Sequence, residues 1–155
     1  SLQRSTSPSD PRLFIFKLPL IISVTSDGPG ADLVEASVLQ AGNRRSLKSE
    51  LPFPIRENVS RSRPYERIRH GVGTTCGFFC HGVETRDPGI PFAEAFISRA
   101  IRPLLSSEVS LESLHRLKSA CRPSTNPRRC ELLQALLADG QARREDFPAD
   151  MPAGF

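Results

Sequence analysis

His70, Cys76, Cys80 and His81 lie within twelve consecutive residues and form the densest group of reactive side chains in the sequence. Thiolate and imidazole donors in fours suit tetrahedral Zn²⁺, so zinc is the cofactor this group suggests. The spacing H-x5-C-x3-C-H is not a frequent finger pattern, and the adjacent Cys80 and His81 would strain to face one ion. The same residues allow a second chemistry. A thiolate beside a histidine attacks carbonyl carbon, and Cys76 with His70 or His81 supplies both types, as in a thiol hydrolase. The glycines at 71, 73 and 77 echo a phosphate-cradling loop, but the third comes one place late and no helix follows directly.

The other two cysteines suggest a cross-link. Cys121 closes one leucine-rich helical pattern and Cys130 opens the next, so an antiparallel hairpin would bring them together. A disulfide there would contribute roughly 2 to 3 kcal/mol by loop entropy. Two reduced thiols packing as small hydrophobes are the competing reading.

A third set is basic. Residues 43–70 carry eight Arg or Lys against three Glu, more than the net charge of +4 of the whole chain. Within it Arg56, Arg61, Arg63, Arg67 and Arg69 could contact phosphates while Tyr65 stacks on a base. A solvated linker has the same composition. Asn58-Val59-Ser60 matches a glycosylation sequon, which matters only in a secreted chain.

Two short resemblances accompany these sets. Phe78-Phe79-Cys80-His81-Gly82 resembles the strand leading into a histidine-glycine turn in caspase-like and α/β-hydrolase folds. Neither a Gln-Ala-Cys-type strand nor a Gly-x-Ser-x-Gly elbow follows it, so it implies no catalytic set. Ser110 to Ala120, SLESLHRLKSA, resembles the first helix of a suppressor-of-cytokine-signalling box. His115 stands where that family has cysteine, and nothing is carried over from it.

The elements that must position these residues divide the 155-residue chain as follows. Residues 1–12 are a flexible arm, 13–42 a strand and helix segment, 43–70 a basic linker, and 71–91 a Gly/Cys loop. A helical unit follows over 92–140, then a loose tail over 141–155. The apolar run LFIFKLPLIISV at 13–24 is too short to span a bilayer, which needs roughly 20 residues, so no transmembrane span is expected. It reads as two strands, 13–18 and 20–25, broken at Pro19; a signal core interrupted by Lys17 and Pro19 is the other reading. Val34 and Val38, four apart and followed by Gly42-Asn43, predict a helix over 31–41. Phe92, Phe96, Ile97, Ala100 and Ile101 predict a helix ended by Pro103, and Ser110 and Asn126-Pro127 predict the starts of two more.

The fold class expected is therefore a small α+β domain. It has short N-terminal strands, a basic irregular connector and a C-terminal three-helix unit; a mostly α chain with extensive loops is the alternative. Leu, Ile, Val and Phe make up about a quarter of the chain, and Ser, Pro and Gly another quarter, which predicts a modest core. The function expected is a non-catalytic interaction or structural protein with a protein partner, a subunit of a larger assembly. The alternatives are a zinc or thiol-hydrolase protein centred on 70–82 and an RNA- or DNA-binding accessory protein using 43–70.

Overall fold

The computed structural model describes residues 9–69, 81–138 and 142–154. Its centre is a six-stranded antiparallel sheet in the order β1-β2-β3-β4-β6-β5. The strands are β1 (Arg12–Lys17), β2 (Leu20–Thr25), β3 (Leu33–Leu39), β4 (Arg45–Pro52), β5 (Thr85–Arg86) and β6 (Phe96–Arg99). The helices are α1 (Arg63–Arg67), α2 (Leu111–Ala120) and α3 (Pro127–Leu136), with a short 3₁₀ turn at Leu105–Ser107.

Strands β1 to β4 form a meander. Leu18-Pro19 turns β1 into β2, where a residue without an N–H costs the ladder nothing. Between β3 and β4 the turn places Gly42 and Asn43 at positive φ, the left-handed region that favours these two residue types. The Asn43 N–H donates to the Gln40 carbonyl at 3.0 Å and the Gln40 N–H to the Arg45 carbonyl at 2.9 Å, closing the hairpin.

The expected three-helix unit is overturned by this topology. Residues 96–99 are strand β6, paired to β4 through Arg45↔Arg99, Ser46↔Ser98 and Leu47↔Ile97. The apolar positions that suggest a helix over 92–102 serve a strand, because non-local pairing outweighs local periodicity. The helix expected over 31–41 is likewise strand β3, in which Leu33, Glu35, Ser37 and Leu39 share one face. The connector expected to be irregular holds β4, so the mostly helical alternative fails as well.

What remains helical at the C-terminal end is a hairpin. Ser110 caps α2 by accepting from the Ser113 N–H at 3.2 Å. Asn126 caps α3 in the same way, accepting from the Arg129 N–H at 3.1 Å. Both are residue types whose side-chain oxygen meets an otherwise orphaned N–H of the first turn. Cys121 and Cys130 are joined by a disulfide, with Cα atoms 5.5 Å apart. The Lys118 ammonium donates to the Leu137 carbonyl at 2.8 Å. Polar contacts tie the hairpin to the sheet: Arg128 donates to the Phe53 carbonyl at 2.7 Å, and Arg129 pairs with Asp10 at 3.3 Å. No residue of α2 is buried, and Leu133 is the buried residue of α3.

The main hydrophobic core lies on one face of the sheet, where Ile21, Leu39, Ala100 and Met151 are buried with Phe14, Phe16 and Phe147 against them. Residues 142–154, expected to be loose, form a strap across that face. The Phe147 ring meets Phe14 and Phe16 edge-on, each at 4.9 Å, an arrangement that sets positive ring edges against negative ring faces. The Arg102 N–H donates to the Pro152 carbonyl at 2.9 Å and the Gly154 N–H to the Arg102 carbonyl at 3.1 Å, holding the strap to the chain after β6. At Gly154 a Cβ would collide with Cγ2 of Ile101, so a larger residue would force the Ile101 side chain to shift.

Candidate ligand-binding site

Alternation along the strands decides which side chains meet on the strap-covered face. Cross-strand pairs in register point the same way, so Ser23↔Glu35, Ser37↔Lys48 and Ser46↔Ser98 bring a polar set onto this floor. Arg12 joins it from β1. The Arg12 guanidinium pairs with Glu35 and donates to the Ser23 hydroxyl at 2.8 Å, lying 5.2 Å from the Phe14 ring centre. That charge is matched where it stands.

Lys48 differs. The residue is only 7% exposed, yet it makes no hydrogen bond or ion pair with any described residue. Removal from water disfavours the ammonium more than Glu35 favours it, and the pKa falls from 10.5 to about 8. Near neutral pH the group is still mostly charged. The Ser46 and Ser98 hydroxyls, both fully buried, also find no hydrogen-bond partner among the described residues. Buried polar groups are ordinarily satisfied, so two such hydroxyls beside Lys48 are unusual.

His81 closes one side of the floor. Its Nδ1–H donates to the Arg99 carbonyl at 2.9 Å. Burial first, and the Lys48 charge second, push its pKa down to about 4, so the ring is neutral near pH 7.

Above this floor is a cavity of about 1040 Å³. Phe14, Phe16, Ile21, Leu39, Phe147 and Met151 form its apolar walls, Leu104, Leu105, Leu111 and Leu114 line its outer part, and Lys48, Ser46 and His81 line the floor. On the strap, Arg144 pairs with Glu108 and with Asp146 (2.9 Å) and Arg143 with Glu145 (3.8 Å), while Asp150 accepts from Asn43 Nδ2 at 2.9 Å. A large apolar space with a few convergent polar groups is the usual form of a small-molecule site.

The residues singled out in the sequence lie elsewhere, except His81. His70, Cys76 and Cys80 fall outside the described residues, so neither the zinc set nor the thiol nucleophile is placed. Among the described residues no three His, Cys, Asp or Glu side chains are grouped to hold a metal. In the basic segment, Arg67 pairs with Glu50 at 3.6 Å and Arg69 with Glu94 at 2.7 Å. Arg61 stacks on the Phe92 ring at 5.2 Å, and the Tyr65 ring meets Phe92 at 6.4 Å. Arg56 and Arg63 are exposed. The floor itself escapes sequence reasoning because Ser46-Leu47-Lys48-Ser49-Glu50 reads as solvated; only its period of two, with polar residues at 46, 48 and 50, hints at a strand.

No described helix is long and apolar enough to cross a membrane. Comparison of the chain with protein-family models, curated proteins and solved structures found no match.

Proposed function

We propose that this protein is a non-catalytic binding module that holds an apolar small molecule between its sheet and its C-terminal strap. The observation carrying this reading is the cavity of about 1040 Å³, walled by aromatic and aliphatic side chains and floored by polar groups. Burying an apolar ligand there would gain roughly 25 cal/mol for each Å² of apolar surface withdrawn from water. The reading belongs to the interaction class rather than the catalytic one, because the floor pairs no nucleophile with a base at hydrogen-bond distance among the described residues. A basic surface for nucleic acid is supported less well, since Arg61, Arg67, Arg69 and Tyr65 are engaged within the molecule.

The test is displacement of a neutral solvatochromic dye by dodecanol. Saturable binding at one site per chain, weakened when Leu39→Trp fills the cavity, is the expected result. If neither dye nor dodecanol saturates on the folded parent protein, the reading is wrong.

A further inference from the structure

Lys48 is the group on the cavity floor whose charge no described residue pairs with. Its neighbours are accounted for on each packed element. Arg12 of β1 is bound to Glu35 of β3 and to Ser23 of β2. Glu50 of β4 pairs with Arg67 of α1. Glu84 acts on Lys48 through its field, more weakly than Glu35 does. His81 is neutral and donates to a backbone carbonyl. On the strap and the chain after β6, Arg143 and Arg144 are paired with carboxylates, and Arg102 donates to the Met151 carbonyl at 3.1 Å. A buried ammonium without a partner is costly, and a ligand that supplies the missing anion recovers that cost.

We propose that the cavity is specific for an apolar monocarboxylate, with its carboxylate seated on Lys48 and the Ser46 hydroxyl and its tail lying along Phe14, Phe16 and Phe147. Ser46 and Lys48 are two apart on β4, so both side chains rise from the same face of the sheet as next-but-one neighbours. One cation without a described partner calls for one negative charge, and the Ser46 and Ser98 hydroxyls add none. Arg12, the guanidinium on this floor, is already engaged by Glu35 and Ser23, so among the described floor residues Lys48 is left to meet a single carboxylate rather than a phosphate, which guanidinium clusters hold. The tail needs no polar partner where it lies, since Phe14, Phe16 and Phe147 present aromatic surface there. This proposal rests on the binding reading above and names the ligand class of the same site.

Calorimetric titration at pH 7 of dodecanoate, dodecanol and dodecylamine, below their aggregation concentrations, tests it on the parent protein and on Lys48→Met. The parent is expected to bind dodecanoate about tenfold or more tighter than dodecanol, and dodecylamine least. In Lys48→Met that preference should vanish while dodecanol binding persists, which also shows that the variant is folded. Equal binding of dodecanoate and dodecanol by the parent would overturn the carboxylate assignment and leave the cavity reading standing. A preference that survives in Lys48→Met would remove Lys48 as the anchor. Failure of all three ligands to bind the folded parent would overturn both.

Discussion

In the helical hairpin the polar groups at the helix ends are met locally, by Ser110 and Asn126 at the starts and by Lys118 on the Leu137 carbonyl. On the sheet floor, polar groups are buried more deeply, and the Ser46 and Ser98 hydroxyls have no hydrogen-bond partner among the described residues. The hairpin has few buried side chains and holds its shape with caps and a covalent link; the floor lies beside the main core and carries polar groups that weaken it. Stability and a potential for binding thus sit in different parts of one small chain. Groups that cost folding free energy without structural benefit are where a ligand has something to gain.

The largest expected effect falls on the hairpin. Replacing both Cys121 and Cys130 with Ser removes the cross-link between them, with an expected loss of about 2 to 3 kcal/mol for so short a loop. The midpoint of urea unfolding, followed by far-ultraviolet circular dichroism, measures it. An unchanged midpoint would mean that the polar ties through Arg128 and Arg129 suffice, and the contrast drawn between the two regions would fail.

On the floor the expected sign is reversed. Burial holds the Lys48 ammonium at about 8 against 10.5 for a free lysine, so the unfolded chain binds the proton more tightly. Stability therefore falls as pH drops from about 10.5 to about 8 and is level in this respect below that. The depression corresponds to a penalty on the order of 3 kcal/mol at neutral pH. Lys48→Met, of similar length and without charge, should raise the unfolding free energy by about 1 to 3 kcal/mol at pH 7. The gain should shrink as pH approaches 10.5. Urea unfolding of parent and variant at several pH values checks both the sign and the slope. A variant less stable than the parent below pH 8 would show that Lys48 has a structural partner.

How much of this is legible in the sequence depends on whether the deciding contact is local. The starts of α2 and α3 are, because Ser110 and Asn126-Pro127 act within one helical turn. Strand β3 reads as a helix for an instructive reason. Gly42-Asn43 adopts the left-handed conformation that ends a helix, and the same conformation turns a hairpin. Strand β6 is hidden because its partner β4 lies far back along the chain, and no local pattern records that pairing. The floor is hidden for a related reason. Whether Ser46, Lys48 and Glu50 face water or a cavity is decided by what lies over the sheet, and the strap at 142–154 reaches that face through Phe147 and Met151, which cluster with Phe14, Phe16, Ile21 and Leu39. Alternation announces that a strand has two faces, without saying which is covered.

The smallest effect separates two caps that look equivalent in the sequence. Ser110 faces water and serves α2 alone. Ser110→Ala should therefore cost about 1 kcal/mol and Ser110→Asp only a few tenths, since a carboxylate caps as well as a hydroxyl. Asn126 has a second duty, donating through Nδ2 to the Asp27 carboxylate in the turn after β2. Asn126→Asp keeps the acceptor for the Arg129 N–H but removes that donor and sets two carboxylates against each other. Arg129, 3.9 Å from Asp27 and 3.3 Å from Asp10, would offset only part of the repulsion. Asn126→Asp is therefore expected to be about 0.5 to 1 kcal/mol worse than Ser110→Asp by urea midpoint, a difference that should shrink in high salt. If the two Asp variants behave alike, the hairpin is held to the sheet without this contact, and its independence from the floor is greater than the hydrogen bonds suggest.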